Sequence, residues 1–362
     1  MGIKGLSAFL KKYPELFERI HISEYAYKKV AIDTSLYMCA YKANFGEGAW
    51  LSAFIKLVSI LREFHVHPVF VYDTSSPPEK QAEKEDRKNN RNKMDDRVFL
   101  LEEAIERFHT DGTVDPILLK FQEKRKIQTS LLRQGQNVLN INAIESAVKK
   151  MRKQLFSITP EDFETTRKLF TILDIPYMLA PMEAETLCSD LCLQKKVDAV
   201  ISEDTDVLAY QAEEFLTKIN TKDATCTRIR YSAVLEALKL TPEMWVDFII
   251  LCGTDYNKNI PNVGPVKAYK LILEHKSIEN IAEKTNLDVS ILNHVRGREL
   301  FLDYKKCDSD VPYCGAPDFP GLGVFIAQKN IRTNMDYLKK AFVHNTIVFE
   351  EEPESEEEII ML

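Results

Sequence analysis

Apolar residues along the first quarter of the chain come in short runs separated by helix-length amphipathic stretches. Lys29-Val30-Ala31-Ile32 reads as a strand, 51–64 as a helix, and Pro68-Val69-Phe70-Val71-Tyr72 as a second strand. Strands alternating with helices in this way predict an α/β fold built on a largely parallel twisted sheet. From about Pro77 to Lys153 strand signals vanish and charged, helix-favouring residues dominate, which predicts a long helical excursion rather than a loop. At Thr159-Pro160-Glu161-Asp162 a hydroxyl N-cap precedes a proline and two acids, so a helix starts there, with Phe163, Phe170 and Leu173 on its buried side. A second α/β block follows, with a strand at Ala199-Val200-Ile201 and a helix from Thr241-Pro242-Glu243 to Leu251, stopped near Gly253. Beyond Arg298 the pattern weakens into the Pro- and Gly-containing 311–323, followed by a helix around 333–343. No internal repeat is visible.

Composition narrows the class. With 362 residues, 45% hydrophobic and 28% charged, the chain is long and apolar enough for a packed enzyme. The 48 basic and 55 acidic residues give a net charge of −7. Seven of those acids, Glu350, Glu351, Glu352, Glu354, Glu356, Glu357 and Glu358, crowd the tail, so 1–349 is neutral overall. Neutrality on average leaves room for a local basic face. Residues 118–157 supply one: Lys120, Lys124, Arg125, Lys126, Arg133, Lys149, Lys150, Arg152 and Lys153 stand against only Glu123 and Glu145. The seven cysteines are odd in number and scattered, as expected of reduced thiols in a reducing compartment. No apolar stretch approaches the roughly 18 residues of a membrane span, and Met1–Leu10 lacks the apolar region of a signal peptide. Gly2 invites a lipidation reading, but Leu6 stands where that motif needs Ser or Thr. The expectation is a soluble intracellular protein without membrane attachment.

The acids carry the chemistry. Asp33 and Asp73 directly follow the first two strands, and Asp204 and Asp206 lie just past the third. Strand ends in a parallel sheet share one edge, where open α/β folds bind ligands. Glu183 and Glu185 sit in the first turn of a helix after Pro181, and Asp255 follows the helix ending near Gly253. Any one of these has a bland reading as an N-cap, a turn residue or a partner of the helix dipole. Seven at one edge would repel and raise each other's pKa unless hard cations neutralised them. An all-oxygen set favours Mg²⁺ or Mn²⁺ over Zn²⁺, and two such ions about 4 Å apart suit phosphodiester hydrolysis. There is no GxxxxGK[ST], no GxGxxG after a strand, no HExxH and no GxSxG. His65 and His67, without Cys or Glu partners nearby, read as structural.

Two further segments remain open between readings. Ile260 through Ala268 sets Gly264 in a tight turn at a helix start, either a plain helix corner or a sequence-blind phosphate grip. Lys80, Lys84, Arg87, Lys88 and Arg91 follow Asp73 but interleave with acids, either as a solvated ion-paired helix or as a phosphate-steering face carried by Lys80 and Arg87.

Taken together, the chain resembles the superfamily of flap endonucleases and XPG-type structure-specific 5′ nucleases over about 1–75 and 158–300. The resemblance rests on Met1-Gly2-Ile3-Lys4-Gly5-Leu6, Ala31-Ile32-Asp33, Val71-Tyr72-Asp73 with Pro77-Pro78-Glu79-Lys80, Ala180-Pro181-Met182-Glu183-Ala184-Glu185, Ser202-Glu203-Asp204-Thr205-Asp206, and Leu251-Cys252-Gly253-Thr254-Asp255-Tyr256 through Val263-Gly264-Pro265. It implies a PIN-like 5′ nuclease fold with a helical arch and a helix–two-turn–helix element. The implied organisation is an N-terminal nuclease half at 1–110, a basic arch or cap at 111–157, an internal half at 158–300 with the two-turn element at about 255–272, an extension at 301–349 and an acidic tail at 350–362. The activity implied is Mg²⁺-dependent two-metal hydrolysis of DNA at 5′ flaps or single-strand/duplex junctions, leaving 5′-phosphate ends, in replication, repair or recombination. Asp33, Asp73, Glu183 and Glu185 then correspond to ligands of one Mg²⁺, and Asp204, Asp206 and Asp255 to those of the second, with Mn²⁺ able to substitute.

By the same resemblance Lys80 and Arg87 contact the scissile phosphate, and Gly2 becomes the N-terminus beside the active site. Gly264, Lys267, Lys149, Lys150, Arg152 and Lys153 contact DNA, and the carbonyls of Asn259, Ile260 and Val263 form a K⁺ turn. The protein would act as a monomer on branched DNA at the nucleus or another site of DNA replication. Three departures stand out. Cys39 occupies the place of a stacking tyrosine, with Tyr37 and Tyr41 nearby; the Asp73–Glu183 interval is longer than in a typical flap endonuclease; and Gln328-Lys329-Asn330-Ile331 lacks the aromatic pair of a sliding-clamp motif. The alternatives are a 5′→3′ exonuclease or junction resolvase of the same family, or a non-catalytic DNA-binding scaffold.

Overall fold

The computed structural model of the chain describes residues 2–46, 48–125 and 139–343. Met1, Lys126 and Arg133 of the basic stretch, 344–349 of the extension and the acidic tail lie outside the described residues. Among the described residues seven strands form one sheet: β1 (Glu18–His21), β2 (Lys29–Asp33), β3 (His67–Tyr72), β4 (Tyr177–Leu179), β5 (Ala199–Ile201), β6 (Glu214–Asn220) and β7 (Thr225–Arg230). Their order is β1-β7-β6-β5-β2-β3-β4. The five from β4 to β6 pair in parallel, while β7 pairs antiparallel with both β6 and β1. The parallel α/β core agrees with the alternation in the sequence. The antiparallel edge was not foreseen, because Glu18–His21 is half exposed and β6 and β7 carry charged residues that blur a strand signal.

Side chains of the central strands alternate between two cores, as the two-residue strand period requires. Val30 and Ile32 face a core completed by the helices Thr34–Phe45, Trp50–Glu63 and Pro160–Ile172, whereas Ala31 faces the core completed by Ala184–Leu193 and Pro242–Cys252. The helix at 160 starts as expected, with Thr159 and Asp162 forming a reciprocal capping box. A helix also spans Phe319–Gln328, inside the region where the sequence pattern had weakened. Pro320 and Gly321, which look like breakers, lie in its first turn, where the Asp318 carboxylate accepts the Gly321 N–H.

Where it is described, the charged excursion is mainly helical. Gln81–Asp111 is one 31-residue helix, followed by Pro116–Lys124 and Ile141–Lys153. Val98, Leu101, Leu118, Phe121, Ile144 and Val148 give these three helices a small core of their own. Within the long helix no residue before Val98 is fully buried, so ion pairs rather than packing hold its first half.

Beyond the sheet, Arg298 binds both carboxylate oxygens of buried Asp247, at 2.7 and 2.8 Å, and pairs with Glu279 at 2.6 Å. Asp247 also accepts the Ile278 N–H, so one carboxylate joins the helices Pro242–Cys252, Ile278–Lys284 and His294–Leu302. Removing the guanidinium leaves a buried carboxylate uncompensated, and Arg298→Ala is expected to cost about 2–4 kcal/mol in denaturant unfolding at neutral pH. The hydrogen bond from Arg298 holds Glu279 at about 2. A depressed carboxylate stabilises above its unfolded value and loses that contribution as pH falls through the folded one. The gap between wild type and variant therefore narrows from about pH 4.5 downwards, and equal unfolding midpoints at neutral pH would refute this role.

Candidate active site

The carboxyl ends of β4, β3, β2 and β5 point the same way. The chain leaves β2 toward β3 on one side and β5 toward β6 on the other, so the crevice between β2 and β5 is a topological switch point. Ile32 pairs with Ile201, which brings Asp33 level with the start of the 202–206 loop. Asp33 is buried and caps its helix by accepting the Leu36 N–H at 3.1 Å, so the bland capping role and a place in the crevice coexist. Asp73 is exposed and accepts the Ala184 N–H at 2.7 Å, at the start of the helix Ala184–Leu193. Buried Glu183 occupies the N-cap position of that helix, and Glu185 lies in its first turn. Asp33, Asp73, Glu183, Glu185, Asp204 and Asp255 line one cavity of about 230 Å³ together with Lys80 and Arg87. Asp206 is buried beside Asp204.

Candidate ligand oxygens of Glu185, Asp204 and Asp206 lie within 4.8 Å of one another. Glu185 thus stands close to Asp204 and Asp206 while lining the same cavity as Asp33, Asp73 and Glu183. Glu185 Oε2 is out of reach of solvent and has no hydrogen-bond partner. Burial, then Asp73 and Asp204, lift Asp33 to about 7. Burial and then Asp206 push Glu185 well above the usual carboxylate range, and burial followed by Asp204 and Asp255 does the same to Asp206. An orphaned carboxylate oxygen within a crowded, all-oxygen donor set fits a hard divalent cation.

Lys80, Lys84 and Arg87 line the same cavity, and two of them pair with its acids. Lys80 Nζ lies 2.6 Å from Glu183 Oε1 and 3.5 Å from Asp255 Oδ2, and Arg87 donates to Asp255 Oδ2 at 2.7 Å. Burial works against the Lys80 ammonium, but Glu185, Glu183 and Asp255 outweigh it and hold its pKa above the ordinary lysine value. The other oxygen of Glu183 accepts the Tyr256 hydroxyl at 2.6 Å, and Tyr256 in turn hydrogen-bonds Tyr210. This tyrosine pair escaped sequence reasoning: only the adjacency of Tyr256 to Asp255 pointed to it, and nothing marked Tyr210, 46 residues away.

Gly2 closes the crevice from the N-terminal side. Its φ is +82°, and a Cβ there would lie 2.1 Å from Asp204 Oδ1 and 2.4 Å from Asp206 Oδ1. The next N–H, of Ile3, donates to Asp206 Oδ1 at 2.9 Å, and Lys4 N–H donates to the Gly253 carbonyl. Only glycine fits between these carboxylates.

Farther out, Gly264 caps the helix Pro265–His275, and the space where its side chain would be is open. Lys267 is exposed in the first turn of that helix. The Asn259 amide donates to the carbonyls of Ile260 and Val263 at 3.3 and 2.9 Å, which closes the turn before that helix. On the helix Ile141–Lys153, Lys149, Lys150 and Lys153 face solvent, whereas Arg152 is tied to Asp95 and Glu102 of the long helix. Neither nearby tyrosine takes the place of Cys39. Tyr37 is buried, and Tyr41 packs edge-on against Tyr37 and Phe54.

Comparison with known proteins agrees with this architecture. Residues 1–94 match the XPG N-terminal domain and 174–255 the XPG I-region. "Probable RAD2-like endonuclease 076L" of Invertebrate iridescent virus 3 is 35% identical over 328 residues, covering 83% of this chain and 85% of the relative. "Flap endonuclease 1" of Debaryomyces hansenii is 30% identical over 376 residues, covering 94% and 88%. Among solved structures, the catalytic core of Rad2 in complex with DNA substrate shares the fold at a TM-score of 0.66 and 16% identity, over 93% of this chain and 99% of that one. No helix among the described residues is long and apolar enough to cross a membrane. With an N-terminal region and an I-region that frame one carboxylate-lined crevice, and relatives that match along nearly their whole length, the chain belongs to the XPG-type family of 5′ nucleases.

Proposed function

We propose that the chain is a Mg²⁺-dependent, structure-specific 5′ nuclease that hydrolyses DNA at 5′ flaps or single-strand/duplex junctions. The observation that carries this reading is the convergence of Asp33, Asp73, Glu183, Glu185, Asp204 and Asp255 on one cavity that Lys80, Lys84 and Arg87 also line, with Asp206 beside Asp204. Glu185, Asp204 and Asp206 are the best-placed first holders of a Mg²⁺ or Mn²⁺ ion, with Asp33, Asp73, Glu183 and Asp255 completing a two-ion set. Such ions, when bound, supply an activated water and neutralise charge on the leaving oxygen.

The protein's own groups do the rest. Lys80 and Arg87 bring positive charge to the cavity edge, where the non-bridging oxygens of a phosphate arrive, and stabilise the charge that builds there. Tyr256 and Lys80 hold the two oxygens of Glu183 from opposite partners and fix its orientation. Gly2 lets backbone and carboxylates approach without a side chain between them. The open N-terminus at Gly264, with Lys267 beside it, grips the duplex backbone, and K⁺ would use the second lone pairs of the Ile260 and Val263 carbonyls together with the Asn259 carbonyl. Lys149, Lys150 and Lys153 add a sequence-blind electrostatic contact, with Arg152 bracing the helix that carries them.

Lys80→Ala and Arg87→Ala are each expected to slow single-turnover cleavage about 10²-fold while changing DNA affinity little; unchanged rates in both would remove them from the mechanism. Cleavage of 5′-labelled flap, nicked, blunt and four-way DNA with Mg²⁺ or EDTA tests the function itself. The expected result is a Mg²⁺-dependent cut near the flap junction. Stepwise mononucleotide release or paired symmetric cuts would replace it with the exonuclease or resolvase reading, and binding without any cut would favour a scaffold.

A further inference from the structure

Residues 183–185, 204–206 and Asp255 bring acids to the crevice from three separate stretches of chain. A buried pair of tyrosines touches all three. The single-turn helix Asp206–Ala209 opens on the carboxylate Asp206, and the Tyr210 N–H closes that turn on the Asp206 carbonyl at 3.2 Å. Tyr256 directly follows Asp255, and its hydroxyl reaches Glu183 Oε2 at 2.6 Å. The two tyrosine hydroxyls are hydrogen-bonded to each other, so the segments of Asp206, Asp255 and Glu183 are joined in one line.

The direction of these bonds follows from counting hydrogens. A phenol has one to give and a carboxylate has none. Tyr256 gives its hydrogen to Glu183, so the bond between the tyrosines is donated by Tyr210 into the Tyr256 oxygen. That bond commits the Tyr256 hydrogen to Glu183 and polarises the hydroxyl that donates it. Tyr210 itself is fixed. It is 1% exposed, its ring centroid lies 5.2 Å from that of Phe301 and 5.7 Å from that of Tyr304, and the Trp245 indole N–H pins its turn by donating to the Leu208 carbonyl at 2.9 Å. Phe301 also packs against Tyr256, with centroids 5.4 Å apart. Every one of these ring contacts would survive in phenylalanine. What the Tyr210 hydroxyl adds is the bond to Tyr256.

We propose that Tyr210 is a positioning residue of the carboxylate site: acting through Tyr256, it fixes Glu183 against the segments that carry Asp206 and Asp255, and so sets how tightly the site holds a divalent cation. The proposal rests on the reading of the carboxylate cluster as a metal site. Affinity at such sites depends on the groups that orient the ligands as well as on the ligands themselves. Glu183 has two tethers, Lys80 on one oxygen and Tyr256 on the other, and Tyr210 steadies the second. Glu183 is also the N-cap of the helix whose first turn carries Glu185, so its placement is passed along two residues of backbone to Glu185.

Mn²⁺ binding followed by electron paramagnetic resonance, without DNA and without turnover, tests this. Tyr210→Phe removes one oxygen and keeps the rings, and is expected to bind Mn²⁺ about 3- to 10-fold more weakly than wild type, the worth of one buried hydrogen bond. Tyr256→Phe should lose at least as much. Adding Tyr210→Phe to Tyr256→Phe should weaken binding no further, because the first hydroxyl acts only through the second. Cleavage of a 5′-flap substrate should show the same origin: the half-saturating Mg²⁺ concentration of Tyr210→Phe rises by the same factor, and high Mg²⁺ recovers most of the rate. Equal Mn²⁺ affinity in wild type and Tyr210→Phe, with only the unfolding midpoint lowered, would make Tyr210 a structural residue and overturn the proposal. Losses that multiply in the double variant would overturn it too. Should Tyr210→Phe fail to fold, Tyr256→Phe decides, since wild-type Mn²⁺ affinity there removes the route from Tyr210 to the ions. A wild-type protein that binds no Mn²⁺ would overturn the metal reading itself and the proposal with it, an outcome distinct from binding that the two hydroxyls leave unchanged.

Discussion

Asp204→Ala is expected to lower Mg²⁺-dependent single-turnover cleavage by at least about 10³-fold, with flap-DNA affinity measured in Ca²⁺ changed by no more than a few-fold. Asp204 is central to the acid set: its carboxylate shares a ligand-distance cluster with Glu185 and Asp206, raises the pKa of Asp33 and Asp206, and lies against Gly2. No neighbour can replace it, because Asp206 is already engaged by the Ile3 N–H and Glu183 by Lys80 and Tyr256. Removing one of several mutually repelling buried carboxylates relieves repulsion, so the variant should unfold no earlier than wild type. Loss of activity without loss of stability or binding separates a ligand from a structural acid. Near wild-type turnover would mean that the cluster is not the metal site.

Gly2→Ala is expected to reduce turnover about 10²-fold, although it adds only a single methyl group. That methyl would stand 2.1 Å from one carboxylate oxygen and 2.4 Å from another, at a backbone φ of +82° that alanine disfavours. The backbone must retreat or the carboxylates must turn, and a displacement of about 1 Å among reacting groups costs this much rate. The Ile3 N–H would leave Asp206 in the same movement. Higher Mg²⁺ should recover part of the loss if the carboxylates have turned, and a wild-type rate at every Mg²⁺ concentration would show that the N-terminus does not abut the site.

What could be read from the chain and what could not divide along a physical line. Asp33, Asp73, Asp204 and Asp206 were legible because each follows a short β-rich run, and strand ends of a parallel sheet must meet at one edge. Glu183 and Glu185 were legible from the proline and the helix start before them. The long helix was visible from the loss of strand signals, whereas the packing of its second half on Val98, Leu101 and their partners depends on helices that come later in the chain. Tyr210 was not legible, because its role depends on contact with Tyr256 far away in the chain. Arg152 looked like one more basic residue of a DNA-binding stretch until Asp95 and Glu102 appeared opposite it, 57 and 50 positions earlier. Local pattern reports which face a residue occupies; long-range pairing decides what it meets there.

Anomalous diffraction from crystals grown with Mn²⁺ tests the central claim most directly, because it locates the ions without relying on turnover. The account predicts anomalous density inside the carboxylate cavity, with a site coordinated by Glu185, Asp204 and Asp206, lost in Asp204→Ala. A cavity free of anomalous density at saturating Mn²⁺, with Lys80 and Arg87 still paired to Glu183 and Asp255, would contradict it.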